Sequence, residues 1–245
     1  MLNGFPHGRA TSSELSALTG LHRTTVRRML ETLVAEKYVH RSESDDSFRL
    51  TFKVRQLSEG FVGSDRLSTI APTVMGELMQ RVVWPSDLSV PDGDAMIVTE
   101  TTHRFSPLSF HRSMVGRRLP FLLTAAGRAY LAYCPEQECE QILQMLRVGD
   151  DAQAPLANDA RFVRNLLKTV RANGFGSNIG EWTIDRKIGA IAMPVRDEQR
   201  VIGSLSVVYL PQAIASDEAI QKFAPPLKAA VDKISALLRE QAKPV

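Results

Sequence analysis

The feature that most constrains the fold is a capped helix followed at once by a glycine turn and a second helix. Thr11-Ser12-Ser13-Glu14 has the hydroxyl, two spacers and glutamate of a capping box, so a short helix is predicted to begin there, with Leu15 and Leu18 on its apolar side. Gly20 can take the left-handed conformation that a tight turn needs. A second helix is predicted over residues 22–36. Its buried stripe is predicted to consist of Val26, Met29, Leu30 and Leu33.

A hairpin of two short strands is predicted directly after the second helix. Residues 37–41 and 47–51 have the pattern of strands, and the polar residues 42–46 between them favour a turn. Helix, tight turn, helix and hairpin in this order are typical of a winged helix-turn-helix, whose second helix lies in the major groove of DNA. We therefore predict a DNA-binding domain over residues 1–62.

The first turns of the second helix carry side chains suited to DNA contacts. Arginine can pair bidentately with guanine, and threonine can hydrogen-bond bases or phosphates. Arginines in the hairpin would reach backbone phosphates. The alternative is a solvated basic helix face, but the capped helix and the turn before it favour DNA. The predicted DNA-binding residues are His22, Arg23, Thr24, Thr25, Arg27 and Arg28 in the helix, with Arg41 and Arg49 in the hairpin.

Composition limits the other classes of function. Net charge is only +3, from 30 Lys and Arg against 27 Asp and Glu, so DNA contacts must come from local clustering rather than bulk charge. No apolar run approaches the roughly 18 residues of a membrane span, which predicts a cytoplasmic protein without a membrane partner. The chain has no G-x-S-x-G, H-E-x-x-H or Walker A pattern, so we expect no catalytic residue, no metal and no cofactor.

A second, larger domain is predicted after an amphipathic connecting helix. Residues 63–84 form this linker helix, because apolar side chains recur there at i, i+3, i+4 and i+7. Beyond it, residues 85–245 alternate hairpin strands with helices, which indicates an α+β domain with a mostly antiparallel sheet. The predicted strands cover residues 87–90, 95–99, 188–195 and 201–210.

Three further expectations concern single elements of this domain. Residues 108–110 are predicted as another strand. Asn158 is predicted to cap a helix that ends at Gly174. The last helix is predicted to begin at Ser216, and the prolines at 225–226 are expected to interrupt it.

One segment without acidic residues is a candidate site for an anion. Residues 101–134 contain no Asp or Glu. Their positive charge would hold an anionic ligand, or would instead be paired with acidic residues from elsewhere, and the sequence leaves both open. The cationic and histidine side chains of the segment are His103, Arg104, His111, Arg112, Arg117, Arg118 and Arg128.

The N-terminal pattern and several later motifs together resemble the IclR family of bacterial transcription regulators. Gly-Leu-His-Arg-Thr-Thr-Val-Arg-Arg at residues 20–28 carries the resemblance in the first domain. Motifs at 116–120, 124–129, 191–195 and 203–207 continue it in the family's order over nearly the whole chain. The resemblance implies a winged helix-turn-helix, a linker helix and a GAF-like effector domain, assembled as homodimers or tetramers on operator DNA.

The resemblance also implies residues that contact an effector. It places contacts at Ala125 and Ala126, in the loop with Glu181 and Trp182, and at the strand position Ser206. To these we add Arg104, His111 and Arg117 from the positive segment, and Ser204 from the strand of Ser206.

The chain departs from the family's pattern at two places. Gly189-Ala190 stands where the family usually has Arg-Cys, so no contact by that cysteine is carried over. Family members also have a helix before the capped one. We expect this first helix to be missing or truncated here, because Met1-Leu2-Asn3 supplies only a last turn.

Together these features predict an effector-controlled transcription regulator. Within the family the chain is most similar to an activator of aromatic-acid catabolism, which implies an activator of a similar operon and a small aromatic carboxylate as effector. The expected partners are operator double-stranded DNA, the effector, further copies of the chain and RNA polymerase. Two alternatives stay open: an enzyme acting on aromatic acids, for which we can nominate no nucleophile or acid–base pair, and a ligand sensor that no longer binds DNA.

Overall fold

The chain divides into two compact units, Met1–Ser64 and Asp65–Val245. The computed structural model describes residues 2, 5, 8–55, 66–109, 114–182 and 187–242. The first unit has one hydrophobic core, and the second has two hydrophobic clusters.

The first unit combines two helices with a small antiparallel sheet. Its elements are β1 (Arg9–Thr11), α1 (Ser12–Thr19), α2 (Arg23–Ala35), β2 (Val39–Arg41), β3 (Ser47–Leu50) and a 3-10 turn (Phe52–Arg55). The strands pair in the order β1-β3-β2. The sequence did not predict β1, because its three residues become a strand only by pairing with β3, which is distant in sequence.

Both predicted ends of α1 are confirmed. Thr11 Oγ1 accepts a hydrogen bond from Glu14 N at 3.2 Å, and the Glu14 carboxylate accepts one from Thr11 N at 2.7 Å. The two bonds satisfy backbone donors that a helix start would leave unpaired. Gly20 ends the helix with φ of 69°, a left-handed conformation that favours glycine.

The buried side of the two helices is narrower than the sequence predicts. Val26 and Leu30 are buried, whereas Met29 is 57% exposed, Leu33 38% and Leu18 56%. Among the described residues, the cluster that contains Val26 and Leu30 includes α1, the small sheet, Leu2 and Phe5, so burial on α2 follows the row of Val26 and Leu30. The prediction of a four-residue stripe was therefore wrong for Met29 and Leu33, and that of an apolar side on α1 was wrong for Leu18.

The second unit is built on a six-stranded antiparallel sheet. Its elements are α3 (Arg66–Val82), β4 (Ser86–Asp92), β5 (Ala95–Thr101), β6 (Arg118–Pro120), α4 (Ala125–Tyr133), α5 (Glu136–Arg147), α6 (Gln153–Asn158), α7 (Ala160–Asn173), β7 (Gly176–Ile179), β8 (Gly189–Asp197), β9 (Arg200–Tyr209) and α8 (Ser216–Ala242). The strand order is β6-β5-β4-β9-β8-β7. The mixed helix and antiparallel-sheet class is thus confirmed.

The two faces of this sheet are covered by different helices. Helices α3 and α8 pack on one face, where Leu205 and Val207 belong to their cluster. Helices α4 to α7 belong to the cluster on the other face. Successive residues of a strand point to opposite faces of the sheet, so the residues that alternate with Leu205 and Val207 along β9 face α4. This alternation brings four buried polar residues to the α4 face: Asp87, Ser89, Ser204 and Ser206.

Three predictions for single elements were wrong. Asn158 ends α6, and Asp159 caps α7 instead, because its Oδ1 accepts from the backbone N–H groups of Arg161 and Phe162 at 2.9 Å each. The prolines at 225–226 do not interrupt α8, whose buried side chains hold one helix through them. Leu108 lies in a turn, Ser109 belongs to no helix, strand or turn, and Phe110 lies outside the described residues.

Candidate DNA-binding surface and ligand cavity

The N-terminus of α2 presents the predicted DNA-binding side chains to solvent. His22 caps the helix: its Nδ1 accepts from Thr24 N at 3.4 Å and lies 2.8 Å from Thr24 Oγ1. These contacts orient the first turn. The exposed residues of this surface are His22, Arg23, Thr24, Thr25, Arg27 and Arg28.

Two arginines of this surface are held by neighbours. Arg27 Nε lies 3.1 Å from Glu31 Oε1, an exposed pair at i and i+4. Arg23 Nε lies 3.4 Å from Ser12 Oγ, which connects the two helices of the motif. Surface pairs of this kind are weak, about 0.3–0.5 kcal/mol, so phosphate or base contacts can replace that of Arg27.

The small sheet sets two groups that the sequence did not assign to DNA, Arg9 and His40, beside the predicted contact Arg49. Arg49 lies opposite Arg9 on one side and opposite His40 on the other, and all three are exposed. Asp45 pairs with Arg9, and Arg9 Nε donates to Ser47 Oγ at 2.8 Å, so a phosphate would have to compete with Asp45 for this arginine. Arg9 escaped the sequence analysis because β1 has no local signal. Arg41 also belongs to the hairpin, where Asp46 pairs with it through a 2.6 Å hydrogen bond.

A cavity of about 50 Å³ lies between the sheet and α4 in the second unit. Its walls are mainly apolar, with Met114, Leu119, Trp182, Ile188 and Val208 among the lining residues. A few polar side chains converge on the same space, which is typical of sites for small molecules. The polar lining residues are Asp87, His103, Thr124, Asn178 and Ser206.

The start of α4 is fixed against the cavity by two polar side chains. Thr124 caps the helix, since its Oγ1 accepts from Gly127 N at 3.2 Å. Asn178 Oδ1 accepts from Ala125 N at 2.9 Å. Asn178 comes this close because Gly176 has no side chain: a Cβ there would lie 2.5 Å from Ala125 O. The helix terminus, and with it Ala125 and Ala126, therefore has a set position in the cavity wall.

A buried carboxylate and imidazole form the polar end of the cavity. Asp87 and His103 are 2% and 3% exposed, and Asp87 Oδ2 lies 3.4 Å from His103 Nε2. Thr101 Oγ1 donates to Asp87 Oδ1 at 2.6 Å, and Ser109 Oγ lies 2.6 Å from His103 Nδ1. The sequence predicts a strand at Asp87 and includes His103 in the positive segment, but no spacing in the sequence brings the two residues together.

The predicted effector residues fall into three groups. Ala125, Ala126, Trp182 and Ser206 line the cavity. Arg117, Glu181 and Ser204 contact neighbouring structure: Ser204 Oγ donates to Ala126 O at 3.0 Å, and Arg117 stacks on Trp182. Arg104 is exposed on the turn after β5 and does not line the cavity, while His111 lies outside the described residues.

Acidic residues from other segments neutralise part of the positive segment. The carboxylates of Asp94 and Asp92 accept hydrogen bonds from Arg118 and raise its pKa. Arg128 is buried and reaches Glu181 Oε1 at 3.0 Å and Leu122 O at 2.9 Å. For these two arginines the second alternative of the sequence analysis holds: they are paired with acids rather than available to a ligand.

The described part of the chain contains neither a candidate metal site nor a candidate membrane-spanning helix. No three His, Cys, Asp or Glu side chains there gather as they would around a metal ion. Within the same residues, no helix combines the length and hydropathy that crossing a bilayer requires.

Fold and sites together define a DNA-binding regulator with a ligand-binding domain. The family model "Bacterial transcriptional regulator IclR C-terminal" matches residues 60–236, and "IclR helix-turn-helix domain" matches residues 6–43. The chain belongs to the IclR family of bacterial transcriptional regulators. This family consists of transcription regulators rather than enzymes, so the enzyme alternative is dropped.

Curated relatives are similar over most of their length. The regulator XynR of Escherichia coli K12 is 26% identical over 208 residues, which cover 84% of this chain and 81% of that protein. The Pca operon regulatory protein of Acinetobacter baylyi is 26% identical over 90% of this chain and 79% of its own length.

Solved structures share the fold. The IclR protein of Thermotoga maritima has a TM-score of 0.70 at 18% identity, covering 97% of this chain and 94% of that one. An IclR homolog of Microbacterium hydrocarbonoxydans, solved in complex with 4-hydroxybenzoate, has a TM-score of 0.69 at 24% identity, covering 95% and 92%.

Proposed function

We propose that this chain activates an operon for the catabolism of a hydroxyphenylpropionate-like aromatic acid, and that a small aromatic carboxylate is its effector. The observation that carries the proposal is the cavity beside α4, with apolar walls and a few convergent polar groups. Apolar walls suit an aromatic ring, and the polar groups would fix its orientation.

Resemblance to one family member supports the effector class. Long strings of the sequence resemble MhpR, the activator of 3-(3-hydroxyphenyl)propionate catabolism. They include surface positions, which packing alone would not fix. The strings cover residues 21–28, 44–51, 53–61, 100–105 and 108–112.

Two of the similar proteins point the same way. One is the Pca operon regulatory protein of Acinetobacter baylyi, and the other was solved with 4-hydroxybenzoate, an aromatic carboxylate. Both support an aromatic acid as the class of effector for this chain.

The proposed mechanism couples effector binding to DNA binding between subunits. Residues 1–62 would bind the operator through the surface at α2, and residues 85–245 would bind the effector. The linker helix of residues 63–84 would connect these two domains. In a homodimer or tetramer, the effector would shift the population of subunit arrangements and so the spacing of the recognition helices. RNA polymerase would be the further partner of an activator.

Effector entry requires the cavity wall to move. A cavity of about 50 Å³ has room for only a few water molecules, at roughly 10–15 Å³ each. An aromatic acid is larger, so Trp182, which is only half-buried, is the proposed movable part of the wall. Effector binding would then stabilise a conformation with an enlarged cavity over the conformation with the small one. A ligand produces a signal when it binds one conformation better than another.

A reporter assay tests the proposal. A reporter gene is placed behind DNA from the intergenic regions on either side of the gene for this chain, in cells with and without the chain. Added 3-(3-hydroxyphenyl)propionate is expected to raise expression only when the chain is present. Expression that falls when the chain is present, and recovers with the compound, would indicate a repressor. No response to the compound together with direct effector binding would favour the ligand sensor that does not bind DNA.

A further inference from the structure

The ligand cavity is lined by an acidic side chain, which is unexpected in a site proposed to hold a carboxylate. Asp87, 2% exposed, lines the cavity and contributes an acidic group. A ligand carboxylate beside this aspartate would meet like charge in a site of low dielectric, which is unfavourable. The charged end of the effector is therefore expected to lie elsewhere in the cavity.

Asp87 has unused capacity to accept hydrogen bonds. An ionised carboxylate accepts at about four lone-pair sites. Thr101 Oγ1 occupies one of them at 2.6 Å, on Oδ1. His103 Nε2 stands 3.4 Å from Oδ2, close enough to orient the carboxylate but longer than the usual N–H···O distance of about 2.7–3.2 Å, so it does not saturate this oxygen. The carboxylate can therefore accept a further donor from the cavity.

The orientation of Asp87 is fixed by its surroundings. β4 pairs with β9 in a register that sets Asp87 opposite Ser206, and Ser206 Oγ donates to the Asp87 backbone oxygen at 3.2 Å. His103 is itself 3% exposed and held by Ser109 at 2.6 Å. A preorganised acceptor of this kind discriminates strongly, because a ligand that cannot pair with it leaves a buried polar group unsatisfied.

The positive charge at the cavity lies with a different set of residues. Arg117 stacks over Trp182 and its Nη1 lies 3.4 Å from the sulfur of Met114, and both of these residues line the cavity. The cavity wall thus includes a carboxylate, and two of its other residues, Met114 and Trp182, are contacted by a guanidinium. This arrangement suits a ligand with a hydrogen-bond donor at one end and an anion at the other.

We infer that Asp87, positioned by His103, accepts a hydrogen bond from a ring hydroxyl of the effector and so selects hydroxylated aromatic acids over unsubstituted ones. The inference rests on the proposed function, since it assigns the part of an aromatic acid that this end of the cavity binds. It makes Asp87 a specificity-determining residue and His103 a positioning residue.

The test compares two acids that differ by one hydroxyl. Calorimetric titration of the full chain measures the Kd of 3-(3-hydroxyphenyl)propionate and of 3-phenylpropionate. The hydroxylated acid is expected to bind about 10 to 100 times more tightly, the range for one hydrogen bond to a charged group. Asp87→Asn should reduce this ratio, and Asp87→Ala should bring it to within about threefold of unity.

The unsubstituted acid serves as the control for folding. Both Asp87 variants should bind this acid at least as tightly as the parent chain does, because they remove the buried carboxylate that it leaves unsatisfied. Ser89→Ala is the matched control: Ser89 is buried on the same sheet face and does not line the cavity, so the ratio should stay as in the parent chain.

His103 is tested by a readout that a merely structural role would not change. His103→Gln should lower the ratio between the two acids, chiefly by weakening the binding of the hydroxylated acid, while the variant still binds 3-phenylpropionate.

The outcomes separate the inference from the function on which it rests. A parent chain that binds both acids equally, or Asp87 variants that keep the parent ratio, would overturn the inference and leave the effector class intact. A parent chain that binds neither acid would overturn the proposed effector class and the inference with it.

Discussion

The guanidinium of Arg117 lies over the indole of Trp182, with its carbon 4.6 Å from the ring centroid. Trp182 lines the cavity beside α4, and Arg117 precedes the edge strand β6. A cation–π contact is worth about 0.5–2 kcal/mol, enough to favour one position of the ring without fixing it permanently. The contact thus links Arg117, whose charge is expected to attract the carboxylate of the effector, to Trp182, the side chain that is expected to move when the effector enters.

The Arg117–Trp182 contact predicts the site of the effector's carboxylate. Arg117→Ala should weaken binding of 3-phenylpropionate by about 10-fold, because the ligand loses its cation. Titration calorimetry gives the Kd. Arg164→Ala removes the same charge from an exposed position on α7 and should leave the Kd unchanged. Equal Kd values for the parent and Arg117→Ala would exclude this role for Arg117.

The exposed start of α2 predicts that DNA binding and effector binding can be separated. Arg27→Ala should cost about 1–3 kcal/mol of operator binding, because it removes a cation from the predicted major-groove face. The effector Kd should not change. Anisotropy of labelled operator DNA measures the first quantity and calorimetry the second, with Arg164→Ala as the charge-matched control. Loss of both functions in Arg27→Ala would contradict the two-domain assignment.

The capping box predicts a local loss of stability in the first unit. Thr11→Ala removes the acceptor of Glu14 N and should destabilise α1 by about 1 kcal/mol. Thr11→Ser keeps a hydroxyl and should be nearly neutral. Hydrogen exchange of the α1 amides reports this locally, without requiring the whole chain to unfold in one step. Equal protection in both variants would show that the cap contributes nothing measurable.

The same cap predicts a pH dependence with a definite sign. Hydrogen bonds from the Thr11 backbone N–H and hydroxyl lower the pKa of Glu14 below its usual value. A carboxylate with a lowered folded pKa stabilises the fold above its unfolded pKa, and this contribution is lost as pH falls through the folded pKa. Protection of α1 in the parent should therefore exceed that in Glu14→Gln at about pH 7, and the difference should vanish at about pH 2–3. A difference that grew on acidification would contradict this assignment.

Close backbone packing predicts opposite effects for two glycines in helices. A Cβ on Gly127 would lie 2.3 Å from Phe121 Cα, whereas none of the described atoms lies within 4 Å of one on Gly76. Gly127→Ala should destabilise the second unit by at least about 2 kcal/mol, since the clash is with backbone. Gly76→Ala should stabilise it by about 0.5–1 kcal/mol through helix propensity. Thermal unfolding of both variants checks the prediction, and a neutral Gly127→Ala would contradict the packing at α4.

Features with local signals could be predicted from the sequence. The capping box at Thr11, the left-handed Gly20 and the hairpin after α2 depend on neighbouring residues, and all three were found where expected. The antiparallel class of the second unit followed from paired strands with turns between them.

Features that depend on distant pairing could not be predicted in this way. Strand β1 forms by pairing with β3, so no local pattern in the sequence indicates that Arg9 would lie beside Arg49. The exposure of Met29 depends on what covers α2, which helical spacing does not show. Asp87 and His103 meet because β4 and β5 pair and a turn follows, so neither residue's own neighbourhood marked the polar end of the cavity.

The central claim is that one chain binds operator DNA and changes that binding when an aromatic acid is present. The most direct measurement is anisotropy of fluorescent DNA from the intergenic regions on either side of the gene for this chain. The chain is titrated at two salt concentrations, with and without 3-(3-hydroxyphenyl)propionate, against DNA of scrambled sequence as control. The account predicts sequence-selective binding that weakens with salt and changes with the compound. Selective binding that is identical with and without the compound would contradict it.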